Sequence, residues 1–133
     1  MRRRGPHKAI GLYAHLTWHT WRRQPTLTRT DLPHVIDAVH DAALRCRVRV
    51  QSIGLLADHV HVVVSFAPDT TLSSFIREAK SSSALRINRS RQRGDDFRWC
   101  RGFYANSLSW SHVKAARTYV GAQLQRHPDL APR

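Results

Sequence analysis

Four segments of the chain combine β-branched or aromatic residues with alternating apolar and polar positions, the pattern of β-strands. They are residues 12–20, 47–56, 58–66 and 97–108. In the third segment every even position from Val60 to Phe66 is apolar, and the odd positions include His59 and His61. A tight turn near residues 57–58 separates the second and third segments, which predicts that they pair as an antiparallel hairpin.

Three further segments place apolar residues three and four positions apart, the spacing of a helix with one buried side. They are residues 32–46, 71–91 and 110–126. Thr30 and Asp31 are both suitable N-caps for the first helix, and Pro33 is tolerated in its first turn. The sides predicted to be buried are Val35, Ile36, Val39, Ala42, Ala43 and Cys46 in the first helix and Val113, Ala116, Val120 and Leu124 in the last.

The order of these elements is β-α-β-β-α-β with one more helix at the end. It predicts an α+β, ferredoxin-like fold in which one antiparallel sheet carries two helices on one face. The other face is then left for a ligand or a second subunit. Most of the aromatic residues of the fourth strand are expected in the core, although such side chains also stack on bases. These residues are Phe97, Trp99, Phe103 and Tyr104.

A length of 133 residues without repeats or linkers predicts one domain. We expect a flexible basic arm over 1–9, the domain over 10–127 and a tail over 128–133. No apolar run approaches the roughly 20 residues of a membrane span. Cys46 and Cys100 form no CxxC motif, which favours reduced thiols in a cytoplasmic protein.

The charge balance indicates an anionic partner. Lysine and arginine number 22 against 9 acidic residues, a formal charge of +13, and only three of the 22 are lysines. Guanidinium groups suit phosphates and stack on bases, so nucleic acid is a better candidate than membrane. An organism that favours arginine, or an ordinary solvated helix face, would give the same excess. The candidate DNA contacts are Arg22, Arg23, Arg77, Lys80, Arg86 and Arg89.

Two pairs of residues are candidates for chemistry. His59 and His61 point from the same face of a strand, roughly 7 Å apart along it, and can share a divalent ion or simply lie on a solvated face. Tyr119 and Gln123 are one helical turn apart. A tyrosine oxygen is a competent nucleophile at phosphorus beside a metal, and the Gln123 amide oxygen can be a third ligand. Mixed nitrogen and oxygen ligands suit Mg²⁺, with Mn²⁺ as a substitute.

Four passages of the sequence resemble the HUH-type single-tyrosine transposases, small enzymes of insertion sequences that move as single-stranded DNA. They are HLTWHTWR at 15–22, LLADHVHVVV at 55–64, WCRGFY at 99–104 and VKAARTYVGAQ at 113–123. The passages occur in the family's order and span nearly the whole chain. Departures are small: Ala57 stands where proline is common, and Gly121 costs about 1 kcal/mol of helix stability relative to alanine.

The resemblance implies that Tyr119 attacks a scissile phosphate, leaving a 5′-phosphotyrosine and a free 3′-OH. It also implies that His59, His61 and Gln123 hold the metal and that the DNA carries hairpins. A homodimer, in which Tyr119 of one subunit serves the histidine pair of the other, is a further implication. Such a protein would act in the cytoplasm of a prokaryote, at the nucleoid.

Two alternatives remain open. One is a domesticated, repeat-associated tyrosine transposase, although Gln123 favours the mobile-element enzyme. The other is a non-catalytic module that binds single-stranded nucleic acid through the same β-α-β-β-α-β sheet. The sequence does not distinguish a tyrosine acting within its own chain from one acting on a partner. It also leaves open the target site, the hairpin and the mobility of the element.

Overall fold

Four antiparallel strands form one sheet in the computed structural model, which describes residues 11–133. The predicted arm over 1–9 lies outside the described residues. The elements are β1 (Leu12–His19), α1 (Leu32–Cys46), β2 (Val48–Leu55), β3 (His59–Phe66), α2 (Leu72–Ser90), β4 (Tyr104–Leu108), α3 (Trp110–Gly121) and α4 (Gln123–Arg126), with short 3-10 turns at Trp21–Arg23, Arg29–Asp31 and Pro128–Leu130. The strand order β2-β3-β1-β4 confirms the predicted α+β fold. No helix within the described range is long and apolar enough to cross a membrane.

The two faces of the sheet have different partners. Apolar residues of β1 and β3, among them Leu16, Trp18 and Val62, are fully buried in the core that α1 and α2 share. The opposite face, predicted to be free for a ligand or subunit, is partly covered by α3, which contacts β1, β2 and β3. Val113 and Val120 are the residues that α3 buries. The helix with the candidate tyrosine is therefore packed on the sheet rather than appended to its edge.

The predicted strand 97–108 is wrong in its first half, because β4 begins only at Tyr104. The preceding segment makes a single bridge between Thr20 and Trp99. Its backbone makes hydrogen bonds beside this bridge, from the Cys100 amide to the His19 carbonyl at 2.8 Å and from the Trp21 amide to the Arg98 carbonyl at 2.9 Å. Lys80 Nζ also donates to the carbonyls of Cys100 and Gly102 at 2.7 and 2.8 Å. The prediction of buried aromatics holds for Phe97 and Trp99 and fails for Phe103 and Tyr104, which are exposed.

The predicted helix 110–126 has the right extent but is wrong as one continuous helix, because it divides at Ala122 into α3 and α4. Ala122 has φ −98° and ψ 6°, outside the helical range, directly after Gly121. The break changes which side chains point inward, so that Gln123 is 2% exposed while the predicted core residue Leu124 is 48% exposed. Ile36 of α1, also predicted to be buried, is 37% exposed at the margin of its apolar side.

A buried ion pair joins α1 to the end of α2. The Asp31 carboxylate accepts hydrogen bonds from Arg91 Nη2 at 2.6 Å and from the Thr28 amide at 2.8 Å. The two charged side chains are 2% and 11% exposed. Burial by itself would raise the pKa of Asp31, but the bonds from Arg91 and Thr28 outweigh it and hold that pKa below its ordinary value.

We expect Asp31→Asn to lower the free energy of unfolding by about 3 kcal/mol at neutral pH, because it removes the buried carboxylate partner of Arg91 and leaves that charge only the longer contact with the exposed Asp95 at 3.5 Å. Asp69→Asn is the control, since its pair with Arg47 is mostly exposed and is expected to change stability by less than about 1 kcal/mol. The folded pKa of Asp31 lies below the unfolded one, so its stabilisation is lost as pH falls through the folded value. The unfolding free energies of wild type and Asp31→Asn, measured with urea, should therefore converge in acid. A difference between them that stays the same at every pH would contradict this role of Asp31.

Candidate metal and tyrosine site

Strands β1 and β3 bring several polar side chains together on the face under α3. Their register pairs Thr17 with His61 and His19 with His59. Residues directly opposite each other in an antiparallel pair point to the same face, and His15 joins them two positions before Thr17. The structure therefore places the predicted pair, His59 and His61, within a cluster of imidazoles.

The two predicted ligands point their ring nitrogens at one position. His59 Nε2 and His61 Nε2 are 2.9 Å apart. An octahedral Mg²⁺ with ligands at about 2.1 Å holds adjacent ligand atoms about 3 Å apart, so this spacing suits a shared divalent ion. Asp58 Oδ1 lies 2.6 Å from His59 Nδ1 and accepts a hydrogen bond from it, which leaves the Nε2 lone pair free for a metal.

His61 is held by neighbours on β1. Its Nδ1 lies 2.9 Å from His15 Nε2 and 3.3 Å from Thr17 Oγ1. Burial, followed by the nearby His59 and His15 imidazoles, lowers the pKa of His61 to about 3. The ring is therefore neutral at physiological pH, the form in which imidazole binds a metal.

Tyr119 of the same chain lies beside His61 and His15. Its ring centroid is 6.0 Å from that of His61 and 6.3 Å from that of His15, both edge to face. The side chain is 38% exposed, so a substrate can reach it. The Arg126 guanidinium lies 5.1 Å from the Tyr119 ring and adds a positive charge beside the phenol.

Gln123 contacts Tyr119, but not through the continuous helical turn that was predicted. The helix break removes the continuous turn between them, but Gln123 Nε2 donates to the Tyr119 carbonyl at 3.1 Å. This bond leaves the amide oxygen as the atom available to an ion. Across residues 11–133, no group of three or more His, Cys, Asp or Glu side chains is arranged to hold a metal. The histidine pair would therefore need an oxygen ligand of another kind, such as this amide.

Two of the predicted DNA contacts border the histidines. Arg22 and Arg23 follow β1 in left-handed backbone conformation, with φ of 53° and 55°, and both are exposed. Positive φ is unusual for arginine and tends to occur at functional sites. The turn is held beside His59, because the Thr20 amide donates to the Asp58 carbonyl at 2.9 Å.

The four predicted contacts on α2 belong to the other side of the sheet. Arg77 and Arg89 are exposed there. Lys80 is bound to backbone carbonyls, and Arg86 pairs with Asp41. The six cations therefore do not form one surface, and only Arg22 and Arg23 lie beside the candidate site.

No chemical role was predicted for His15, Thr17 or His19. A signal was present, because these residues repeat at every second position of β1 just as His59 and His61 do in β3. Arg126 carried no such signal, since it approaches Tyr119 from beyond the helix break at Ala122.

Comparison with known proteins places these elements in context. The family model for IS200-like transposases matches residues 8–123. Transposases of the insertion sequence element IS200 from Salmonella typhimurium and Salmonella typhi are each 29% identical over 84 residues, covering 59% of this chain and 54% of the relative. The chain thus matches about half the length of these curated relatives.

Two solved structures share the fold. A crystal structure of a protein from Deinococcus radiodurans R1, assigned as a transposase, has a TM-score of 0.68 at 20% identity, covering 99% of this chain and 100% of the other. The structure of a REP-associated tyrosine transposase bound to a REP hairpin has a TM-score of 0.72 at 16% identity, covering 96% of this chain and 74% of the other. At these identities the likeness establishes the architecture.

Proposed function

We propose that this chain, which belongs to the IS200-like family of HUH single-tyrosine transposases, nicks and rejoins single-stranded DNA with Tyr119 as its nucleophile. One observation carries the proposal: the Tyr119 ring stands 6.0 Å from a histidine whose Nε2 converges with that of its neighbour at 2.9 Å. No structural purpose requires a partly exposed phenol beside one of two convergent imidazoles. A phosphodiester held between them accounts for all three side chains.

The reaction exchanges one phosphate ester for another. The Tyr119 oxygen attacks the scissile phosphorus and loses its proton, and the bond from phosphorus to the 3′-oxygen breaks. That oxygen takes up a proton, which gives a free 3′-OH and a 5′-phosphotyrosine. A 3′-OH attacking the phosphotyrosine reverses the exchange and joins strands. No ATP is needed, because the number of phosphoester bonds is conserved.

His59, His61 and the amide oxygen of Gln123 would hold a divalent ion, Mg²⁺ or Mn²⁺. When bound there, the ion supplies positive charge that polarises the phosphate and stabilises the leaving oxygen. The residues fit this role, because Asp58 and His15 engage the Nδ1 atoms and turn both Nε2 atoms to one point. Neutral imidazoles and an amide oxygen suit these ions.

The substrate we propose is single-stranded DNA with a hairpin. The net charge of +13 and the exposed Arg22 and Arg23 beside the histidines support a polyanion. The REP-associated tyrosine transposase of the same fold is bound to a hairpin. A homodimer, handling the two ends of an element in the prokaryotic cytoplasm, belongs to the same proposal.

Incubation with hairpin-bearing single-stranded DNA and Mg²⁺ tests the proposal on a denaturing gel. We expect a covalent protein–DNA adduct and a shortened strand with a 3′-OH. Binding should weaken steeply with salt if the arginines meet phosphates. Tight, salt-dependent binding without an adduct on any hairpin substrate would instead favour the non-catalytic binding module.

His15 orients His61 in this proposal, because His15 Nε2 accepts a hydrogen bond from His61 Nδ1. We expect His15→Ala to weaken Mn²⁺ binding by about 10–100-fold, the usual effect of removing such a partner. His15→Gln retains an acceptor oxygen and should lose less. His40→Ala, at an exposed position of α1, is the control and should bind Mn²⁺ as the wild type does. Titration calorimetry measures the affinity, and an unchanged His15→Ala protein would exclude this role.

A further inference from the structure

A position opposite His61 on the neighbouring strand has no side chain. Gly54 of β2 is the cross-strand partner of His61 of β3. Directly opposed residues of an antiparallel pair project to the same face. A Cβ on Gly54 would therefore point toward α3, beside the histidine pair.

Helix α3 occupies the space that such a Cβ would need. A Cβ built on Gly54 lies 2.6 Å from the Val120 carbonyl oxygen and 3.0 Å from Val120 Cγ1. The first distance is shorter than real Cβ contacts, and its partner is helix backbone, which cannot rotate away. Val120 is 1% exposed, so the helix meets the sheet tightly here.

This contact lies next to the candidate nucleophile. Val120 follows Tyr119 directly, and α3 ends one residue later at Gly121. The Tyr119 ring is 6.0 Å from His61 in the same chain. The position of the tyrosine over its own histidines thus depends on how closely the last turn of α3 approaches β2.

We propose that Gly54 is a positioning residue, whose missing side chain seats the last turn of α3 on β2 and thereby directs Tyr119 to the histidine pair of its own chain. Each chain then holds a complete site, rather than sharing tyrosines across a dimer. The catalytic part of this inference rests on the proposed function, whereas the seating of α3 does not.

Hydrogen exchange tests the seating without reference to activity. Gly54→Ala should speed exchange of the α3 amides, which depend on the packed helix, by about tenfold or more relative to wild type, while the β1 and β3 amides stay protected. Gly121→Ala is the matched control, because a Cβ there has nothing within 4 Å and alanine favours the helix. Unchanged α3 exchange in Gly54→Ala would overturn the inference.

A second variant changes the contact between Gly54 and Val120 on the α3 side. Val120→Ala removes Cγ1, the Val120 methyl group that lies beside Gly54, and introduces no clash in the sheet. It should also speed hydrogen exchange of the α3 amides while the strand amides stay protected. This pattern distinguishes detachment of α3 from global unfolding. If α3 exchanges as slowly in Val120→Ala as in wild type, this contact does not hold the helix.

Adduct formation tests the catalytic consequence. Gly54→Ala should form the DNA adduct about 10–100-fold more slowly, since a shift of about 1 Å can cost 100-fold, with hairpin affinity changed less than about twofold. An adduct rate equal to that of Gly121→Ala would overturn the positioning role.

Mixing inactive chains tests whether the site lies within one chain. Tyr119→Phe combined with His61→Ala should form no more adduct than either alone, and restored adduct formation would show sharing between chains and overturn the inference. Absence of any adduct with wild type would count against the proposed function, while the exchange experiment would still decide the seating.

Discussion

Tyr119→Phe is expected to abolish the covalent adduct and to slow single-turnover cleavage by about 10⁴-fold or more, the scale of losing a catalytic nucleophile. The substitution removes one oxygen and keeps the ring, whose edge-to-face contacts with His61 and His15 involve no hydroxyl. Stability, Mn²⁺ binding and hairpin binding should therefore match wild type. The loss would then lie in the chemical step alone.

The other two tyrosines are the matched controls, since the chain has only three. Tyr13 packs against Trp110 at 5.5 Å between ring centroids. Tyr104 is the sharper control, because its ring lies 5.9 Å from His19 and it is exposed at the edge of the same histidine cluster. Both Tyr→Phe variants should form the adduct normally. If Tyr104→Phe lost the adduct and Tyr119→Phe kept it, the nucleophile would be misassigned.

Removing either ligand histidine should have the second large effect. We expect His59→Ala and His61→Ala to slow cleavage by about 10³-fold or more, because an ion at a phosphate contributes several kcal/mol to the transition state. Mn²⁺ affinity should fall with cleavage in both variants. Hairpin binding should persist, since it depends on cations such as Arg22 and Arg23 rather than on the imidazoles.

The same measurement has two internal checks. Chelation of divalent ions should abolish DNA cleavage by the wild-type protein. Added Mg²⁺ or Mn²⁺ should restore cleavage by wild type but not by the histidine variants at the same concentration. His40→Ala on α1 controls for loss of a surface histidine. Wild-type cleavage rates in either ligand variant would remove the metal role of that histidine.

The regular elements were predictable because their patterns are local. The three-and-four spacing of 32–46 matches α1 residue for residue, and the strand predicted over 58–66 begins one residue before β3. The tight turn at 57–58 predicted the antiparallel pairing of β2 with β3, which the structure has. The shared face of His59 and His61 follows from the alternation along β3, since it needs only the geometry of one strand.

Features set by tertiary contacts were not predictable. The segment before β4 receives hydrogen bonds from Lys80 of α2 at the carbonyls of Cys100 and Gly102, a contact that no local pattern marks. The end of α3 depends on a break that no apolar spacing marks, and it decides that Gln123 rather than Leu124 is buried. The role of Gly54 was invisible in the sequence, because it arises where Val120 meets β2 from 66 positions further along the chain.

Mass spectrometry of the trypsin-digested adduct tests the central claim most directly. Cleavage after Arg117 and Arg126 isolates residues 118–126, a peptide whose only tyrosine is Tyr119. We predict that this peptide carries the nucleotide, linked through a 5′-phosphate to the Tyr119 oxygen. A nucleotide on any other peptide, or cleaved DNA with unmodified 118–126 throughout, would contradict the account.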